Sequence, residues 1–301
     1  MKRLPQLLVL LLGSALLSTC DVVNPEEDLP AFIQVDDPVL IQPNGDTTRS
    51  GVPDVWVIQG EELAGVFEPP LVFPTTNLDD SVFFFIPGVW ENTNTNEHRR
   101  YNFLEVDSAV WQLTARDTFH ISPVYRYRNI DTTILFPFRE DYEDIGIQIE
   151  AIPNQRNQLN FQRSEFNPHS GNSSGVVNFT ANDTLLRLRT DDPVDLPRQG
   201  EVWAEVAHRG DIKFSFGLMY EVAGVGGPQD RVAIFIPDND IDGIIPEPPV
   251  EPDTWRTHYF FLTPIINTAP PNTPIWLFIR SDSDGKERQL FLDDIRVVNF
   301  K

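Results

Sequence analysis

The chain has 301 residues, with 45 acidic side chains against 23 basic ones and a formal net charge of −22. Such a charge repels phosphate backbones and anionic lipid surfaces, so nucleic acid is excluded as a partner. A single cysteine excludes a disulfide framework and a zinc–thiolate centre, and leaves burial alone to stabilise a chain long enough for two ordinary domains. In chain order, Lys2-Arg3 precede an apolar run that ends at Leu17-Ser18-Thr19-Cys20. A short basic start, an apolar stretch too brief for a permanent span and small residues before a cleavage point are the layout of a bacterial export signal.

The Leu-Ser-Thr-Cys ending resembles the lipobox of bacterial lipoproteins. That resemblance implies a signal peptide over residues 1–19 and acylation of Cys20, with palmitate among the attached chains. Removal of residues 1–19 leaves 21 basic against 45 acidic side chains, a net charge of −24. Residues 20–30 hold two prolines and four acids, cannot bury a core, and read as an extended acidic tether. An acidic cluster after a lipidated cysteine resembles the surface-export signal of Bacteroidota lipoproteins, although Glu26-Glu27-Asp28 stand farther from the cysteine than is usual. The implied location is the outer membrane, with the protein lipid-anchored and displayed at the cell surface. No second apolar run of about 20 residues follows, so the lipid is the expected membrane contact.

From Ala31 onward, short segments rich in Val, Ile, Phe and Trp alternate with Pro, Gly, Asn and Asp. The first series is Phe32–Ile41, Val55–Ile58, Leu63–Phe67, Val82–Ile86 and Thr118–Tyr127. A second begins with Ile145–Ile152 and Val176–Phe179 and closes with Thr257–Leu262, Ile275–Ser281 and Gln289–Asn299. No sustained 3.6-residue period appears after the export signal, which argues for an all-β chain of two sandwiches. The boundary falls around Asn129–Pro137, giving an Ig-like β-sandwich over residues 31–135 and a second domain over 136–301.

Pro30–Asp36, Asp54–Val57, Gly65–Glu68, Phe73-Pro74 and Phe138–Glu143 resemble a group of uncharacterised Bacteroidota lipoproteins, which implies location and architecture but no activity. Five Asp-Ser or Asp-Thr triplets, starting at Asp46, Asp80, Asp107, Asp131 and Asp183, resemble the O-glycosylation sites of the same bacteria. They mark Thr47, Ser81, Ser108, Thr132 and Thr184 as candidate sugar acceptors, although acidic turns favour the same dipeptides.

The second domain opens with Glu140-Asp141-Tyr142-Glu143 and closes with Phe291-Leu292-Asp293-Asp294-Ile295. With the Trp-led strand at Asp253-Thr254-Trp255, this pairing resembles the β-jelly-roll carbohydrate-binding modules, of the galactose-binding type of fold. The resemblance implies a structural Ca²⁺ held by Glu143 and one of Asp293 or Asp294, tying the first and last strands together. The alternative is one solvent-facing aspartate and one guarding a sheet edge. Independently, Asp238-Asn239-Asp240-Ile241-Asp242-Gly243 places carboxylates at alternate positions before a glycine, as in the first half of a calcium loop. Its twelfth position is Pro249 rather than the bidentate acid, so Asp238, Asp240 and Asp242 are equally read as a solvated acidic loop. A structural Ca²⁺ is thus the one cofactor considered, and none is required.

Gly171-Asn172-Ser173-Ser174-Gly175 matches the letters of a nucleophile elbow but lacks the strand before and helix after that such an elbow needs. The five histidines form no close metal spacing. Arg209-Gly210-Asp211 reads as a hairpin turn between two strands. No active-site chemistry emerges, and the protein is expected not to be an enzyme. Most tryptophans lie in strands, where core packing is the default, whereas Trp90 precedes a polar run and is placed at a loop tip as the one candidate ligand contact. The leading expectation is a non-catalytic envelope subunit that binds a protein partner within a surface assembly. The alternative is a glycan-binding lipoprotein that captures polysaccharide through its second domain.

Overall fold

The computed structural model describes residues 28–301 except 50, 80, 153–160, 184, 211, 213, 222–227, 230–253 and 283–284. The first sandwich holds β1 (Ala31–Val35), β2 (Val39–Ile41), β3 (Thr47–Thr48), β4 (Asp54–Gln59), β5 (Glu62–Phe67) and β6 (Leu71–Thr75). It continues with β7 (Val82–Trp90), β8 (His98–Arg100), β9 (Asp107–Val110), β10 (Thr118–Ile121) and β11 (Val124–Arg126). One layer is the sheet β5-β4-β7-β8, with β9 also on β7, and the others are β10-β1-β6 and β11-β2-β3.

Period-2 alternation explains the packing. Val55, Val57, Phe83 and Phe85 turn inward against Ala31, Ile33, Val35 and Phe73. The expected strand Phe32–Ile41 is broken at Asp36-Asp37-Pro38, and Thr118–Tyr127 is broken at Ser122-Pro123. Proline lacks the N–H that a continuing ladder needs. The two breaks fall side by side, so β1 runs parallel to β10 while β2 switches to pair parallel with β11.

The second sandwich holds β12 (Ile134–Glu140), β13 (Ile149–Ala151), β14 (Phe161–Ser164), β15 (Ser174–Phe179), β16 (Leu185–Thr190) and β17 (Val202–Gly210). Then come β18 (Ser215–Glu221), β19 (Pro228–Gln229), β20 (Arg256–Phe261), β21 (Ile275–Asp282) and β22 (Arg288–Phe300). One face is β14-β15-β22-β17-β20 with β12 also on β22, and the other is β13-β16-β21-β18-β19. Phe216, Leu218, Leu277, Ile279, Leu290 and Leu292 fill the space between them. The architecture is all-β, two sandwiches in series, the second a jelly roll.

One local expectation is corrected. Arg209-Gly210 does not open a hairpin: β17 pairs with β22 through Gly210, and β18 belongs to the opposite sheet. Gly210 has φ +129°, and a Cβ there would lie 2.2 Å from the Gln289 carbonyl oxygen, so close backbone approach selects glycine. After β20, Thr263–Ile266 form one helical turn, α1, with a proline in its first turn where no N–H is needed.

The sandwiches share a buried junction. Tyr101, Phe103, Leu104 and Tyr125 from the first pack with Trp203, Tyr259 and Val298 from the second. Asn92 N–H donates to the Tyr259 carbonyl, and Phe261 N–H donates to Asn92 Oδ1, so the 91–97 loop covers the free edge of β20.

Candidate functional site

The acids singled out from the sequence are engaged by protein donors. Asp293 Oδ2 accepts the backbone N–H groups of His169 at 2.9 Å and Ser170 at 3.3 Å. Asp46 Oδ2 accepts that of Gly171 at 2.6 Å. Glu143 Oε1 accepts those of Asn172 at 2.7 Å and Ser173 at 2.8 Å, and its Oε2 accepts the Asn172 side chain. Five consecutive N–H groups are therefore held by three carboxylates, one of them from the first sandwich. Gly171 has φ +63°, and a Cβ there would sit 2.5 Å from Glu143 Oε1. The sequence that matched a nucleophile elbow is this clamped loop. The N–H donors outweigh the upward push of Glu143's partial burial and hold its carboxyl below the ordinary range.

Asp294 adopts φ +46° and turns inward, with Oδ2 2.7 Å from His169 Nδ1 and Oδ1 2.7 Å from Arg296 Nη2. Burial pushes both neighbouring acids up, but Arg296 and His169 hold Asp294 low while its negative charge drives Asp293 well above the usual range. Among the described residues, no three His, Cys, Asp or Glu side chains converge as a metal site. At Glu143, Asp293 and Asp294 the partners the structure shows are backbone N–H groups, His169 and Arg296. Asp238, Asp240 and Asp242 lie outside the described residues, as do Cys20 and Thr184.

Arg296 extends the network into the junction. Its Nε lies 3.4 Å from Glu205 Oε2, and both side chains are only 2% exposed. Glu205 also accepts from Tyr101 Oη and Tyr127 Oη, each at 2.5 Å, so the hydroxyls of one sandwich are bonded to the buried carboxylate of the other. Burial raises the Glu205 carboxyl despite the lowering effects of Arg296 and the two tyrosines. The residue pattern gave no warning of this bolt.

Of the candidate sugar acceptors, Thr47, Ser108 and Thr132 are exposed and Ser81 is half-buried. Trp90 is not at a loop tip. It ends β7, is half-buried, and its Nε1 donates to the buried Asp54 at 3.0 Å, beside His98 Nδ1 at 2.6 Å from the same carboxylate. That bond commits its indole N–H to the protein.

A groove of about 400 Å³ instead lies on the outer face of the β14-β15-β22 sheet. Register builds it: Gln162 pairs with Val176, which pairs with Phe291, and Asn178 pairs with Gln289. Gln162, Asn178 and Gln289 are exposed, and Ser164 and Phe166 complete the rim. Phe166 is 65% exposed, yet its segment is tied down. Arg209 Nη2 donates to the Phe166 carbonyl and Trp255 Nε1 to the Asn167 carbonyl, both at 2.8 Å. The Arg209 guanidinium lies 3.8 Å from the Phe291 ring centroid and is flanked by Phe166 and Trp255. Sequence reading singled out neither Phe166 nor the three amides as ligand contacts, because the amides stand on three separate strands and only the register assembles them.

No protein-family model matches the chain, and no curated protein does. Among solved structures, a xylan-binding domain of carbohydrate-binding module family 22 is similar at 15% identity over 56% of this chain and 96% of that one, with a TM-score of 0.37. A family 30 carbohydrate-binding module gives 14% identity over 57% of this chain and 90% of that one, with a TM-score of 0.39. A carbohydrate-binding module of the β-sandwich superfamily, studied for promiscuous specificity, gives 11% identity over 91% and 99%, with a TM-score of 0.37.

Proposed function

We propose that this protein is a non-catalytic glycan-binding protein of the cell envelope, anchored to the outer membrane through a lipid on Cys20. The observation that carries the reading is the composition of the outer groove: three exposed amides beside an exposed, firmly held aromatic ring. Sugars present apolar C–H faces and hydroxyls that donate and accept, and such a lining offers a matching surface for both. The acidic body and the tether then display this face away from the membrane. Glycan-array screening of the purified chain, followed by titration calorimetry, tests the reading. Binding that disappears in Phe166→Ala supports it, and silence across neutral and acidic glycans contradicts it.

A second reading, a protein-binding subunit of a surface assembly, is favoured by a different face. On the outer side of the first sandwich, Leu63, Ile58 and Phe84 stand in one cross-strand row, and Val82 pairs with Val110 beside them. Leu63 is 52% and Val110 71% exposed, an apolar grouping of the kind that marks protein contacts. Crosslinking in intact cells, compared between wild type and Phe84→Glu, tests it: a partner lost with the substitution supports it, and an unchanged pattern contradicts it.

A further inference from the structure

We propose that the groove selects neutral glycans by reading an adjacent pair of ring hydroxyls with Asn178 and Gln289, and rejects chains that place a carboxylate there. This rests on the glycan-binding reading above. Asn178 on β15 and Gln289 on β22 face each other across the sheet, and Gln289 Nε2 donates to Asn178 Oδ1 at 2.7 Å. The bond leaves the Asn178 amine as a donor beside the Gln289 carbonyl as an acceptor. Turning both amides over exchanges the roles and again leaves one donor and one acceptor. Neighbouring hydroxyls satisfy both, one accepting from the amine while the other donates to the carbonyl. A carboxylate only accepts, so it would set its charge against the amide oxygen.

The nearby arginines do not reverse this preference. Arg209 is committed to the Phe166 carbonyl and the Phe291 ring. Arg163 contributes to the lining, but it alternates with Gln162 and Ser164 along β14, and its Nε and Nη2 are buried on the other side of the sheet. There its charge lowers the Glu140 and Glu143 carboxyls. The chain's net charge of −22 adds long-range repulsion of acidic polymers. Phe166 supplies the apolar platform, pre-organised because successive carbonyls of its loop are held by Arg209 and Trp255.

The test is calorimetric titration of the full chain with neutral hexose oligosaccharides and with matched oligomers whose primary alcohols are oxidised to carboxylates. We expect the neutral member of a pair to bind about ten-fold tighter or more, and Asn178→Asp to erase most of that affinity. If the oxidised oligomer binds as tightly or tighter, and Phe166→Ala abolishes that binding, the selectivity is overturned while the groove stands as the glycan site. If no oligomer binds, or if Phe166→Ala leaves binding unchanged, the glycan reading of the groove falls with it.

Discussion

Replacing Tyr101 by phenylalanine removes one oxygen from the middle of the domain junction and little else. The ring still packs in edge contact with Phe103, Trp203 and Tyr259, at centroid distances of 5.2, 5.7 and 4.9 Å. What is lost is the 2.5 Å bond donated to Glu205, whose side chain is 2% exposed. A hydrogen bond to a charged buried group contributes about 1.5–3 kcal/mol, so Tyr101→Phe should destabilise the chain by about that amount. Tyr127 and Arg296 still hold the carboxylate, which places the loss below the about 3–5 kcal/mol of a broken buried pair.

The cost should also depend on pH. Burial raises the folded-state Glu205 carboxyl above its ordinary 4.5. Between that value and the raised one, the folded state keeps a proton that the unfolded state releases, so this group's contribution to stability falls as pH rises through the window. Removing the Tyr101 donor raises the folded value further and deepens the fall, so the substitution should cost more at pH 7.5 than at pH 5. Urea unfolding followed by tryptophan fluorescence reads both effects, since Trp203 lies in the same junction. A loss below about 0.5 kcal/mol, typical of surface substitutions, would refute the buried bond.

Asp294→Asn should cost about 3–5 kcal/mol by leaving Arg296 and His169 short of their charged partner, whereas Asp293→Asn, replacing an acid whose carboxyl is driven up, should cost about 1 kcal/mol; equal losses in thermal unfolding would contradict the assignment of the charge. Phe166→Ala should remove glycan binding while changing stability by no more than about 0.5 kcal/mol, since the ring is 65% exposed, and a large stability loss would show it to be structural. Palmitate labelling should be present in the wild type and absent from Cys20→Ala, and persistent labelling would refute the anchor.

The strand-rich character and the two-sandwich order were legible because alternating apolar residues and turn formers repeat along the chain. Pro38 and Pro123 also announced the two strand breaks, since neither can donate to a ladder, yet the flanking apolar residues mask them in a pattern read for periodicity. The acids Glu143, Asp293 and Asp294 stood out only as the calcium ligands that a resemblance implies. Their partners did not, because backbone N–H groups from residues 169–173 carry no sequence signal and Asp293 lies 124 residues from His169. Trp90 looked exposed because a polar run follows it, but Asp54, 36 residues earlier, draws its indole inward. Gln162, Asn178 and Gln289 looked like ordinary surface amides until register set them side by side.

The central claim is that the groove beside Phe166 holds a sugar. Solution NMR of the full chain, with side-chain amide signals of Gln162, Asn178 and Gln289 followed while a bound neutral oligosaccharide is titrated, tests it most directly. Those three amides should shift together and saturate with the calorimetric affinity. Saturating shifts confined to other residues, with these three unmoved, would contradict it.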